Sequence, residues 1–215
     1  MTLSKRVAFP IIIIVAVVLS LGVLVNNNRK IDVSCIDPST LPIYRLDGSP
    51  MYDPSNPKEA VGICDYVFVG KVVSNDGTQY RDKILVEDEK GKPIEVGTPY
   101  TDYTVVVTDN IKGNLQTDEP ITIIKRGGII NTGKAVIVFE NDFLPEEGNL
   151  YIFLGYAQEE GWILISGPNS NIALEIPDGQ TAKSTSEYQT YEEAFLNEII
   201  PAGLEAKRFK SIYED

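Results

Sequence analysis

The chain contains no histidine among its 215 residues, only two cysteines, two methionines and a single tryptophan. Without histidine there is no Ser-His-Asp triad, no Cys-His pair and no His-containing zinc site, and two cysteines 29 positions apart in sequence, Cys35 and Cys64, cannot supply a four-cysteine metal centre. Basic residues are also scarce, with 19 Lys and Arg against 31 Asp and Glu and a formal net charge of −12. Four of the basic residues (Lys5, Arg6, Arg29, Lys30) fall in the first thirty positions, which carry no acidic residue. The remainder therefore repels phosphate backbones, which argues against nucleic acid as a partner.

Catalytic and cofactor signatures are equally thin. No calcium loop, no G-x-x-x-x-G-K-[ST] and no strand-linked G-x-G-x-x-G occurs, so neither a metal, a cofactor nor a catalytic residue is assigned. Ser55-Asn56-Pro57-Lys58 has the bare S-x-x-K spacing, in which a lysine one helical turn on would activate the serine, but Pro57 and the proline-rich surroundings argue against a helix and for a surface loop. The carboxylates lack any setting that would raise one pKa for general acid catalysis. The chain reads as a non-enzyme.

What is present begins with a charge-free run from Val7 to Val25. At about 1.5 Å per residue such a helix crosses the roughly 30 Å hydrocarbon layer. Leu24 and Val25 before Asn26-Asn27-Asn28 offer no small-x-small cleavage pattern, and Asp32-Val33-Ser34 before Cys35 is no lipobox, so an uncleaved signal anchor is favoured over a removed signal peptide. Lys5 and Arg6 with the terminal amine bias the N-terminus inward, placing the rest outside the cytoplasm. In an oxidising compartment Cys35 and Cys64 would pair, closing a turn-rich loop (Pro38, Pro42, Gly48, Pro50, Pro54, Pro57) and contributing about 3 kcal/mol.

Beyond the anchor (1–30) and a proline-rich lead segment (31–63), β signals dominate residues 64–180. Cys64 to Ser74 is dense in β-branched and aromatic residues around Gly70, and Tyr100 to Thr108 has the same character before Ile111-Lys112-Gly113. Between them, Asn75 to Pro99 reads as a protruding polar connection, with a turn at Asn75-Asp76-Gly77 and a charged hairpin tip at residues 87–92 between Ile84-Leu85-Val86 and Ile94. Further runs at Ile121 to Lys125, Ala135 to Phe139, Leu150 to Tyr156, Trp162 to Ile165 and Ile172 to Ile176 are separated by turn signals, which implies an all-β barrel or sandwich. Strand alternation puts Tyr103, Val105 and Val107 on the inner face and Thr104 and Val106 on the outer, with Phe68, Tyr151 and Phe153 also inward and Trp162 at a hairpin end. Most of the eleven tyrosines are read as core or rim. In the C-terminal segment (181–215), Thr190 with Glu193 has capping-box spacing, and Tyr191, Phe195 and Ile199 recur at helical intervals before Pro201, giving a helix expected to close one end of the barrel. Leu204 to Asp215 is open between a second short helix and a frayed tail.

Cys64-Asp65-Tyr66-Val67 with Gly70-Lys71-Val72, then Tyr103 to Val107 leading to Ile111-Lys112-Gly113, then Gly148-Asn149-Leu150-Tyr151-Ile152-Phe153-Leu154, resembles the N-terminal domain of tissue inhibitors of metalloproteinases and similar domains of bacterial surface proteins. The resemblance covers roughly Cys35 to Leu174. It implies a five-stranded Greek-key barrel of the OB type. In the inhibitors the first mature residue is a cysteine whose amine and carbonyl chelate the target's zinc; Cys35 is the nearest equivalent, but it follows Ser34 in an uninterrupted chain. The expected function is therefore a membrane-anchored, extracytoplasmic binding or interaction module for a protein or envelope ligand. The alternative is a metalloprotease-inhibitor-like protein released by processing before Cys35.

Overall fold

The computed structural model describes residues 32–33, 35–88, 90–117, 119–204 and 209–215. The expected membrane span Val7–Val25 lies outside them; among the described residues no helix is long and apolar enough to cross a membrane. In chain order the elements are β1 (Ile43–Leu46), α1 (Pro57–Ile63), β2 (Tyr66–Glu87), β3 (Pro93–Lys112), β4 (Pro120–Arg126), β5 (Gly128–Ile129), β6 (Val136–Phe139), β7 (Leu150–Ala157), β8 (Ile163–Ile165), β9 (Asn171–Leu174) and α2 (Ser186–Leu196).

Five strands close on themselves in the order β2-β3-β4-β8-β7 and back to β2. Neighbours are antiparallel except β4 and β8, which run parallel. In sequence terms the first strand meets the second and fourth and the third meets the fifth, the ordering of an OB-like barrel. β9 adds to β7 beside β8. Closure leaves the barrel without open edges where all five strands pair.

The alternation read from the sequence holds. Tyr103, Val105 and Val107 are fully buried inside the barrel with Phe68, Tyr151 and Phe153, while Thr104 and Val106 face outward and are partly exposed. Phe68 and Phe153 pack with ring centroids 5.5 Å apart. A second apolar layer lies on the outer wall, where Val67, Val69, Ile152 and Leu154 meet Ala60 and Val61 of α1 and Tyr188, Tyr191 and Ala194 of α2. A third forms where β1, β6 and β5 make a separate small sheet, with Val33 packing on Ile129, Val136 and Val138.

Several expectations are corrected. α2 begins four residues before Thr190: Thr185 is its N-cap, accepting from the Tyr188 N–H, and the Thr190 hydroxyl instead donates to the Ser186 carbonyl. Its buried face is Tyr188, Tyr191 and Ala194, so the helix covers the barrel's outer wall and not its end, and Phe195 and Ile199 stay partly exposed. The final residues are no frayed tail. Phe209 and Tyr213 pack on the barrel core, the Ser211 N–H donates to the Tyr66 hydroxyl (2.9 Å), and that hydroxyl donates to Glu214 (2.6 Å). Burial pushes the Tyr66 phenol up to about 12. A helix does form beside Ser55, because Pro57 occupies its first turn, where a missing N–H costs nothing and φ is already helical.

Cys35 and Cys64 are not joined to each other. Cys35 is exposed next to Val33 and Ile36, which pack on the small sheet, whereas Cys64 is buried at the C-cap of α1 in the layer between barrel and helices. Only Cys64 belongs to an apolar cluster, and its thiol shares a hydrogen bond with the Tyr156 hydroxyl.

Candidate functional site

β2 and β3 are far longer than the barrel needs. β7 stops pairing with β2 at Lys71 and β4 stops pairing with β3 at Tyr100, so beyond these points the two strands have only each other and leave the barrel as a ribbon. Five register shifts along the pair supply the bends that let one ribbon be barrel wall at its base and free hairpin at its end. The segment read as a polar connection with a hairpin tip is thus two long paired strands, one running to Glu87 and the other from Pro93.

The small sheet lies against the ribbon's side. The Tyr80 hydroxyl donates to the Ile129 carbonyl (2.9 Å), the Gly127 N–H donates to the Pro99 carbonyl (3.0 Å), and the Asn131 amide contacts the Glu95 carbonyl. Between ribbon and sheet remains a groove of about 240 Å³ with Ile84, Val96 and Pro99 on one side and Leu46, Ile137 and Phe139 on the other. This is below the roughly 300–1,000 Å³ of sites that enclose whole small molecules. It suits one or two inserted side chains. Arg126 also lines it, with its guanidinium 5.1 Å from the centre of the Phe139 ring and its Nε buried without a hydrogen-bond partner.

A second cation lies nearby on the ribbon. Arg81 stacks on both Tyr100 and Trp162, 4.7 Å from each ring centre, and Tyr100 pairs directly across from Arg126. Trp162 comes from the β7–β8 connection. In OB barrels the loops joining strands one and two and strands four and five flank the ligand-binding face, and here those are the ribbon and the Trp162 loop. Asp102, on the same strand, contacts the Gln79 amide; burial raises its carboxyl, and its Oδ1 has no hydrogen-bond partner. Apolar side chains stay in solvent around this face: Ile84 is 62% and Leu85 76% exposed, and Ile43 and Tyr44 protrude from the edge strand β1.

The sequence-level candidates fare differently. The Ser55 hydroxyl donates to Asp53 (2.6 Å), so it is committed to a turn at the start of α1. Among the described residues no three His, Cys, Asp or Glu side chains come together as a metal site. One polar cluster was missed. Lys125 and Asp142 form an ion pair with both side chains fully buried, and Ser170 bonds to both, 2.5 Å from Lys125 Nζ and 3.1 Å from Asp142 Oδ2. Burial drives the lysine down and the aspartate up, each opposed by the other. The signal was legible: in Ile121-Thr122-Ile123-Ile124-Lys125 strand alternation puts Lys125 on the inner face with Ile121 and Ile123.

No protein-family model matches this chain, and no curated protein matches it significantly. Its class rests on its own architecture, an OB-like β-barrel domain with an extended first hairpin.

Proposed function

We propose that this chain is a non-catalytic interaction module, held at the outer face of a membrane by Val7–Val25, whose extended hairpin binds an extended segment of a partner protein. The observation that carries the reading is the pairing of exposed Ile84 and Leu85 with a groove sized for side chains. A polypeptide occupant fits better than a small molecule because β1, which supplies Leu46 to the groove, is the edge of the small sheet. An incoming strand can add its backbone there while alternate side chains enter the groove. The overall negative charge favours a segment that is neutral or basic.

A photo-crosslinking residue at position 85 of the full chain is expected to give a discrete protein adduct in its own membrane, with none from position 187 on α2. Ile84→Asp should reduce that adduct more than tenfold, the effect of losing an anchor worth about 2 kcal/mol, without lowering thermal stability. Equal labelling from both positions would overturn the reading. The proposed orientation is tested separately: protease added to intact cells is expected to remove the barrel, and protection until the membrane is broken would place it on the other side.

A further inference from the structure

We propose that Lys125 and Asp142 become joined by an intramolecular isopeptide bond that the folded chain forms without another reactant. The two side chains are in direct contact, neither has any exposed surface, and they come from separate elements, the end of β4 and the loop after β6. In water an amine and a carboxylic acid do not condense near neutral pH because proton transfer turns them into ammonium and carboxylate, neither of which is reactive. The barrel interior reverses that obstacle, since burial favours the uncharged form of both groups. Holding the two in permanent contact supplies the effective concentration that an intermolecular reaction lacks.

The step balances with these residues alone. The ammonium proton passes to the carboxylate, leaving a free amine and a carboxylic acid. The Nζ lone pair attacks Asp142 Cγ to form the C–N bond. A proton then moves from nitrogen to the departing hydroxyl, the Cγ–O bond breaks and one water leaves; nothing is oxidised or reduced. Ser170 Oγ lies within hydrogen-bond distance of both Nζ and Oδ2, and its hydroxyl can take up one proton while giving up another. The other oxygen, Oδ1, has no hydrogen-bond partner among the described residues, and although Lys125, Ser170 and the Phe143 N–H all favour the ionised carboxyl, burial outweighs them and raises it. The product ties the barrel to the loop that leads from the small sheet.

The test is the mass of the full-length chain under denaturing conditions, followed by tryptic mapping. The expected result is a deficit of one water and a branched peptide uniting the Lys125 and Asp142 segments, with no cleavage after Lys125. Asp142→Asn should show loss of ammonia in place of water, and Lys125→Arg should keep its full mass. Full mass in the parent chain overturns the proposal. So does a water loss that maps to a linear peptide, as an aspartyl succinimide at Asp76-Gly77 would give, or one that persists in Lys125→Arg.

Discussion

Gly62→Ala is expected to destabilise the domain by about 3 kcal/mol, although in an exposed helix the same change would stabilise by about 1 kcal/mol through propensity alone. The reversal comes from what faces the glycine. A Cβ there would lie 2.0 Å from the carbonyl oxygen of Ile199 and 2.6 Å from its carbonyl carbon, and backbone atoms cannot rotate aside as a side-chain tip can. The Ile199 segment is held in place, because its N–H donates to the Lys58 carbonyl (3.0 Å) one helical turn before Gly62. The preceding Glu198 pairs with Lys112, whose Nζ also donates to the Val61 carbonyl (2.7 Å). Relief of the clash must therefore break this clamp or tilt α1 off the barrel wall. Denaturant unfolding of the variant measures the cost; a variant as stable as the parent would mean that the segment after α2 does not rest on α1.

The barrel was legible because its strands carry their own signal. Val105 and Val107 alternate with Thr104 and Val106, and the turn glycines fall between runs, so period and punctuation agree without tertiary information. What escaped depends on partners distant in sequence. Of the ribbon beyond Tyr100 the charged hairpin tip is legible, but its length is not, because it has solvent on much of its surface and only the stopping points of β4 and β7 show that it is long paired strand. Of the helical set Tyr191, Phe195 and Ile199, only Tyr191 reaches the barrel wall, beside Tyr188 and Ala194, because Phe195 turns to the outer face and Ile199 lies beyond the end of α2 at Leu196. The cysteine pairing was inferred from number and compartment, neither of which records that Cys64 packs in the helix layer and Cys35 beside the small sheet. For the candidate site, Trp162 could be placed at a hairpin end, but its stacking on Arg81 joins residues 81 positions apart along the chain and has no local trace.

Asp142→Ala should be the most costly single change at a polar residue, at about 3–5 kcal/mol near neutral pH, because it leaves the Lys125 amine buried with no counter-charge. Its pH dependence follows from sign. Burial already lowers the lysine below its ordinary 10.5, and Asp142 is the group that opposes this, so removing Asp142 lowers the folded-state value further. The unfolded chain then binds a proton that the folded variant does not, over the whole window between the two values. Stability in that window rises with pH and is lost as pH falls, by up to about 1.4 kcal/mol per pH unit. The variant should consequently gain stability as pH rises from about 7 toward 9.5, and more steeply than a parent in which Asp142 opposes the lowering of the lysine. Replacing both residues, Lys125→Met with Asp142→Leu, should remove the dependence and restore part of the stability, since apolar side chains of similar volume meet no desolvation cost in the barrel. Denaturant unfolding at the two pH values decides it. A deficit for Asp142→Ala that is the same at both would show that Lys125 reaches solvent once its partner is gone, and that this end of the barrel is open.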